Sequence, residues 1–170
     1  MIDVNQLRKG VVFITGDDLW RVLEYSHHKP GRGSATIRTK VRNLRTGATV
    51  ERKFNSGEKI QDVRLDTRQG QFLYSDGDLY HFMDVESYDQ LVINVSSLEN
   101  ALPYLMEGMQ VGVTEYDGEA LEVEVPLTVE IPVTKAETGV KGDTATGATK
   151  IVTLTTGLEV QVPLFIELGD

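Results

Sequence analysis

Five short runs rich in β-branched and aromatic residues crowd into the first 65 positions: Val11–Thr15, Leu19–Ser26, Ala35–Leu44, Thr49–Asn55 and Gln61–Leu65. Glycine and aspartate turn signals separate them, in "TGDDLW" and at Thr46-Gly47. The connections are too short to hold crossover helices. Spacing of this kind suits a small β-barrel.

The pattern continues downstream. "QFLYSDGDLYHFMD" is two apolar strands around Asp76-Gly77, a strong hairpin signal, and "QLVINV" follows. "SSLENALPYLMEGM" is the one convincing helical stretch. Ser96 or Ser97 caps its start, Gly108 ends it and Pro103 limits it to about two turns. A second hairpin turns at Asp117-Gly118, and its later strand alternates Leu121, Val123 and Val125 with Glu122 and Glu124. Strands with one interposed short helix match an oligonucleotide/oligosaccharide-binding (OB) barrel. After Pro126 come "LTVEIPVTKAE", the polar loop "TGVKGDTATGATK" and a hairpin turning at Thr156-Gly157. The expected organisation is all-β, three small barrels over 1–64, 65–126 and 127–170, the third short for a closed barrel.

Composition removes several functions. The absence of cysteine excludes disulfides, thiol catalysis and zinc-thiolate sites. No apolar run approaches the roughly 20 residues that span a bilayer, and "MIDVNQLRKG" is not a secretory signal. A cytoplasmic protein with no membrane partner is expected. The net charge of -9 hides a division. Residues 1–64 hold thirteen of the seventeen Lys and Arg against seven acids, a net +6, while residues 65–170 carry -15. The basic part suits a polyanion, and the acidic part supports solubility or discourages non-specific nucleic-acid binding.

Most candidate chemistry fails on context. "PGRGSA" lacks the spacing, the Lys-Ser/Thr ending and the following helix of a phosphate-binding loop. His27 and His28 are adjacent on a strand and point to opposite faces, so they do not share a metal and read as a polar hairpin end. His81 reads as a strand residue without a chemical role, and Glu122 and Glu124 as a solvated strand face. There is no nucleophile elbow. Asn94 begins a glycosylation-like triplet that has no meaning without secretion. No catalytic residue, metal ligand or cofactor is assigned.

Nucleic-acid contact survives. Ile37, Thr39 and Val41 alternate with Arg38, Lys40 and Arg42, which puts the three cations on one strand face. Such a stripe suits phosphate contact, and an ordinary solvated face explains it equally well. Ahead of it lies the tip, residues 27–35. Pro30 restricts the approach, Gly31 and Gly33 keep the backbone narrow and permit positive φ, and Arg32 projects a permanent charge. A thin hairpin with one cationic end can enter a crowded anionic cavity.

The tip "KPGRGSA" also carries a resemblance, together with "VRNLRTGATVERKFNSGEKI", "FMD" and "GVKGDTATGATKIVTLTTGLEVQVPLF". Over essentially its whole length the chain resembles bacterial elongation factor P, a homologue of the initiation factor five-A proteins. The resemblance implies an SH3-like (KOW-type) barrel followed by two OB barrels, L-shaped and similar to a tRNA. It implies a monomer that is not an enzyme. Its expected partners are the ribosome, through ribosomal RNA and proteins, and the peptidyl-tRNA in the P site. Bound between the P and E sites, such a factor relieves stalling at consecutive prolines by steadying the CCA end of the peptidyl-tRNA.

Arg32 takes the place of the family's functional tip residue, a target for an arginine-modifying enzyme in one branch. Here it sits in a "PGRG" frame, whereas the rhamnosylated branch has Ser-Gly-Arg-Asn; modified and bare states both stay open. His28, Lys29, Pro30, Gly31, Gly33 and Ser34 are the expected contacts to the CCA end, and Arg38, Lys40 and Arg42 to RNA backbone. Gly142, Asp143 and Thr144 form the third-domain loop motif. That intact motif favours elongation factor P over an elongation factor P-like paralogue. Family members continue after "VPLFIE" with another strand, so the third barrel is expected to lack its C-terminal segment and leave an open edge. The rival from another class is a general OB-fold single-stranded nucleic-acid-binding protein, which would need aromatics and cations on the OB units.

Overall fold

The computed structural model describes residues 1–138 and 147–170, and strands dominate it. The first sheet has six strands: β1 (Ile2–Asp3), β2 (Val12–Thr15), β3 (Asp18–His28), β4 (Thr36–Asn43), β5 (Thr49–Asn55) and β6 (Lys59–Val63). They are ordered β1-β6-β2-β3-β4-β5 and pair antiparallel. Alternation along the strands sends Phe13, Trp20, Val22, Ile37 and Val41 into one core with Ile60. Val4 and Leu7 close the floor, brought there by a 3-10 turn over Val4–Gln6. Asp3 and Gln6 cap that turn reciprocally, its first backbone donors being otherwise unpaired.

The second sheet holds β7 (Asp66–Asp76), β8 (Leu79–Asp84), β9 (Gln90–Asn94), β10 (Gln110–Tyr116) and β11 (Glu119–Glu124), in the order β11-β10-β7-β8-β9. It curls until edge strands β9 and β11 touch, around Phe72, Phe82, Ile93, Leu98, Leu105, Val111 and Val113. Gly70 permits the curl: a Cβ there would lie 2.9 Å from Val113 Cγ2. Asp117 and Gly118 both adopt positive φ, the geometry of a two-residue hairpin turn matched to strand twist.

The expected helix is absent. Its residues form two separate 3-10 turns, Val95–Ser97 and Leu102–Tyr104. Asn94, not Ser96 or Ser97, supplies the first cap, accepting from Ser96 N–H at 3.0 Å. Pro103 lacks the amide that a continuing helix needs, and it is tolerated here because it stands at the start of its turn. Leu98 and Leu105 still reach the core, so two short turns suffice to plug the barrel.

The third sheet is β12 (Val133–Ala136), β13 (Thr149–Leu154) and β14 (Glu159–Pro163), with Val133 and Val152 as its buried apolar residues. Val133 N–H donates to the Asp170 carbonyl at 2.9 Å and its carbonyl accepts from Gly169 N–H at 3.0 Å, so the last residues lie along β12.

First and second sheets are welded by a separate apolar cluster. Val12, Leu19 and Leu44 of the first pack on Leu121 of β11. The reading of residues 121–125 as a simple alternation fails here. Thr114 pairs with Glu122 and Glu115 with Ala120, which leaves Leu121 as the extra residue of a β-bulge. The bulge turns Leu121 out of its own barrel and into the neighbour, while Ala120, Val123 and Val125 pack inside. Glu122 is not a freely solvated residue: it is partly buried and salt-bridged to Arg21 of β3. Arg45 adds a second pair across the junction, to Glu119 at 2.9 Å. That hydrogen-bonded carboxylate holds the Arg45 guanidinium above its ordinary pKa.

Candidate nucleic-acid interface

Strand β3 has eleven residues, a reach of roughly 35 Å at 3.3 Å each. From Glu24 to His28 its residues are exposed, and β4 returns from Thr36. The loop between them places Lys29, Gly31, Arg32, Gly33 and Ser34 in solvent at the apex, with Pro30 half-buried. Positive φ occurs only at Gly33 in this loop (φ 119). A Cβ there would meet Pro30 Cγ at 3.8 Å, whereas one at Gly31 would meet nothing within 4 Å. Gly33 is needed for its backbone conformation, and Gly31 contributes slenderness. His28, Lys29, Pro30, Gly31, Arg32, Gly33 and Ser34 are thus brought together at one tip.

The cationic stripe is real but uneven. Arg38 and Lys40 are exposed, while their neighbours Ile37, Thr39 and Val41 are buried. Across the sheet Arg38 stands between Ser26 and Lys53, and Lys40 between Glu24 and Glu51. Arg42 pairs in register with Arg21 and lines the junction cleft with Glu122 and Glu124. Within the stripe, Arg38, with Lys53 beside it and nearest the tip, therefore has no acidic neighbour directly across the sheet. Reasoning along one strand missed Lys53; the Thr46-Gly47 turn sets the β4–β5 register that would have found it.

A β-bulge adds another feature. Val22 pairs with Val41 and Glu24 with Lys40, so Leu23 is the extra residue. Beyond it Tyr25 and His27 join the face of Thr39 and Ile37. His27 and His28 remain consecutive strand residues pointing to opposite faces. The motif Gly142, Asp143, Thr144 lies outside the described residues.

The OB-type sheet does present an exposed aromatic pair. Tyr74 stacks on His81 with ring centroids 4.4 Å apart, so His81 is a strand residue with an aromatic partner. The central unit's single Lys or Arg, Arg68, does not accompany it. Arg68 is committed to two buried carboxylates, Glu115 at 2.7 Å and Asp84 at 3.6 Å. Asp84 also accepts from the backbone N–H groups of Glu86 (2.8 Å) and Ser87 (3.0 Å). Those hydrogen bonds, with Arg68 adding to them, hold its carboxyl below the usual aspartate range.

Comparison with known proteins names this arrangement. The elongation factor P KOW-like domain matches residues 3–60, the elongation factor P OB domain residues 65–123, and the elongation factor P C-terminal family residues 129–170. Elongation factor P of Moorella thermoacetica (strain ATCC 39073 / JCM 9320) is 48% identical over 170 residues, covering 100% of this chain and 92% of the relative. Among solved structures, eukaryotic translation initiation factor 5A from Methanococcus jannaschii aligns with a TM-score of 0.58 at 23% identity, covering 72% of this chain and 92% of that one. A translation initiation factor eif-5a family protein from Naegleria fowleri ATCC 30863 gives 0.52 at 16% identity, covering 73% and 96%. At such identities the structural likeness speaks for the fold. Family matches along nearly the whole chain, together with the full-length relative, carry the assignment: the chain belongs to the elongation factor P family of translation factors.

Proposed function

We propose that this factor binds the ribosome between the P and E sites and directs its hairpin tip toward the peptidyl-transferase centre. There Arg32 and the loop His28–Ser34 hold the CCA end of the peptidyl-tRNA. The observation that carries this reading is the exposed Arg32 at the apex of a long, narrow ribbon, beside a glycine at φ 119. Nothing bulky flanks the guanidinium, and its five donors suit phosphate and ribose.

The contribution is positional. Consecutive prolines are a poor donor and acceptor pair, and restraining the donor tRNA lowers the entropic part of the barrier. The bond-forming chemistry belongs to ribosomal RNA. Arg38 and Lys53 back the tip with phosphate contacts, and Lys40 and Arg42 extend the same face. The three units 1–64, 65–126 and 127–170 act as one cytoplasmic monomer, the acidic two keeping RNA contact on the first.

Arg32→Ala is expected to abolish rescue of a diprolyl reporter in reconstituted translation while leaving the melting temperature unchanged. Full rescue by that variant contradicts the reading. Intact-mass measurement of the natively expressed protein distinguishes bare from modified Arg32.

A further inference from the structure

We infer that the first barrel carries a pocket for one unpaired RNA nucleotide at the base of the hairpin, on the face opposite the Arg38–Lys53 surface. The inference rests on the reading of the hairpin as an RNA-contacting element and adds a site behind the tip.

The pocket follows from strand lengths. β2 pairs with β3 only as far as Arg21, and β3 runs on to His28. Where β2 has ended, the N-terminal 3-10 turn lies across the gap. A cleft of about 520 Å³ results, floored by Val4, Leu7 and Ile37 and walled by Arg8, Tyr25 and His27. Its remaining lining is polar and uncharged, and no carboxylate faces it. Within a unit of net charge +6, the one charged group lining this cleft is the cation Arg8. The volume lies within the range of small-ligand sites.

The walls are pre-set. Arg8 Nη1 donates to the carbonyls of Asn5 (3.0 Å) and Leu7 (2.6 Å), which fixes the guanidinium with its carbon 5.2 Å from the Tyr25 ring centroid. The other guanidinium nitrogens have no acceptor among the described residues and remain available for a phosphate. Tyr25 is 43% exposed although it shares the inward face of the sheet. The barrel's second cation–aromatic pair gives the contrast. Arg52 lies 4.3 Å from the ring centre of Trp20, which is 6% exposed and sealed in the core. The Trp20 pair is structural, and the Tyr25 pair opens onto the cleft.

These groups together recognise an unpaired nucleotide. An aromatic ring stacks any base, a planar guanidinium extends the stack and binds phosphate, and His27 can donate to or accept from a base edge. A duplex offers no free base face to such a pocket. The bulge at Leu23 is what makes the site, since without it Tyr25 and His27 would point to the opposite face.

The test uses the full chain and two labelled RNA hairpins whose loop is replaced by a non-nucleotide linker, one with a short unpaired 3′ overhang and one blunt. Tyr25→Ala and Arg8→Gln are each expected to weaken binding of the overhang hairpin roughly five- to a hundredfold. Tyr25→Phe keeps the wild-type affinity, and Tyr25→Ala leaves binding of the blunt hairpin unchanged. Wild-type affinity of Tyr25→Ala for the overhang RNA overturns the inference. So does an equal loss on both RNAs, which would make Tyr25 a structural support for the hairpin. The parent reading fails separately: rescue-competent Arg32→Ala removes the ribosomal role of the tip and leaves the overhang comparison to decide the pocket.

Discussion

Asp84 shows how one side chain can end a strand and hold two others. Its carboxylate accepts from the backbone of Glu86 and Ser87 and meets Arg68, which in turn binds Glu115. Asp84 and Glu115 are both buried. Removing Arg68 would leave Glu115 without its ion-pair partner, and burying an unpaired charge is costly. Because the folded carboxyl has a lowered pKa, its stabilising contribution is complete above the unfolded value near pH 4 and is lost as pH falls through the lower folded value. Asp84→Asn keeps an oxygen for the two N–H groups and removes the titration. Urea denaturation at about pH 5 and about pH 2 should show a smaller acid loss in the variant than in the wild type, and equal losses would contradict the linkage.

Strands were legible because each is short, alternating and bounded by turn residues. Thr49–Asn55 was readable to the residue, and the Asp117-Gly118 turn sits where its dipeptide places it. Bulges were not, since an extra residue at Leu23 or Leu121 changes which face follows without changing local composition. The apolar residues around the first bulge, Leu19, Trp20, Val22 and Leu23, occupy both odd and even positions and leave no trace of the shift. The helical stretch misled because caps and apolar spacing suit a helix, while Asn94 caps a short turn that starts before it and Pro103 interrupts it. Of the candidate interface, the tip was legible as a contiguous motif, but the stripe's partners were not, because Glu24, Glu51 and Lys53 arrive through pairing. The pairing carries a prediction. Arg38→Ala and Lys53→Ala should each reduce the salt slope of RNA binding by about one phosphate contact, and Lys40→Ala by distinctly less. Equal slopes for all three would mean that the flanking glutamates do not matter.

At the level of the whole chain, the junctions differ in kind. The first and central units share a dry cluster and two ion pairs. Between the central and third units the described residues give one hydrogen bond, from Thr156 Oγ1 to the Pro103 carbonyl at 2.6 Å, beside a cleft lined by Leu102 and Met106. First and central units should therefore unfold in one transition, with the third independent of it. Leu121 is 1% exposed, and Leu121→Ala should cost about 2–5 kcal/mol. Calorimetry should show the shared transition splitting in that variant; a single, merely shifted transition would indicate that the ion pairs suffice.

Trp20 turns this into something visible by light. It is the chain's one tryptophan, enclosed in the first barrel beneath Arg52. Its emission is an inborn optical gauge for that barrel and is blind to the rest. Loss of emission and loss of sheet signal should coincide while the weld at Leu121 holds, and drift apart once it is cut.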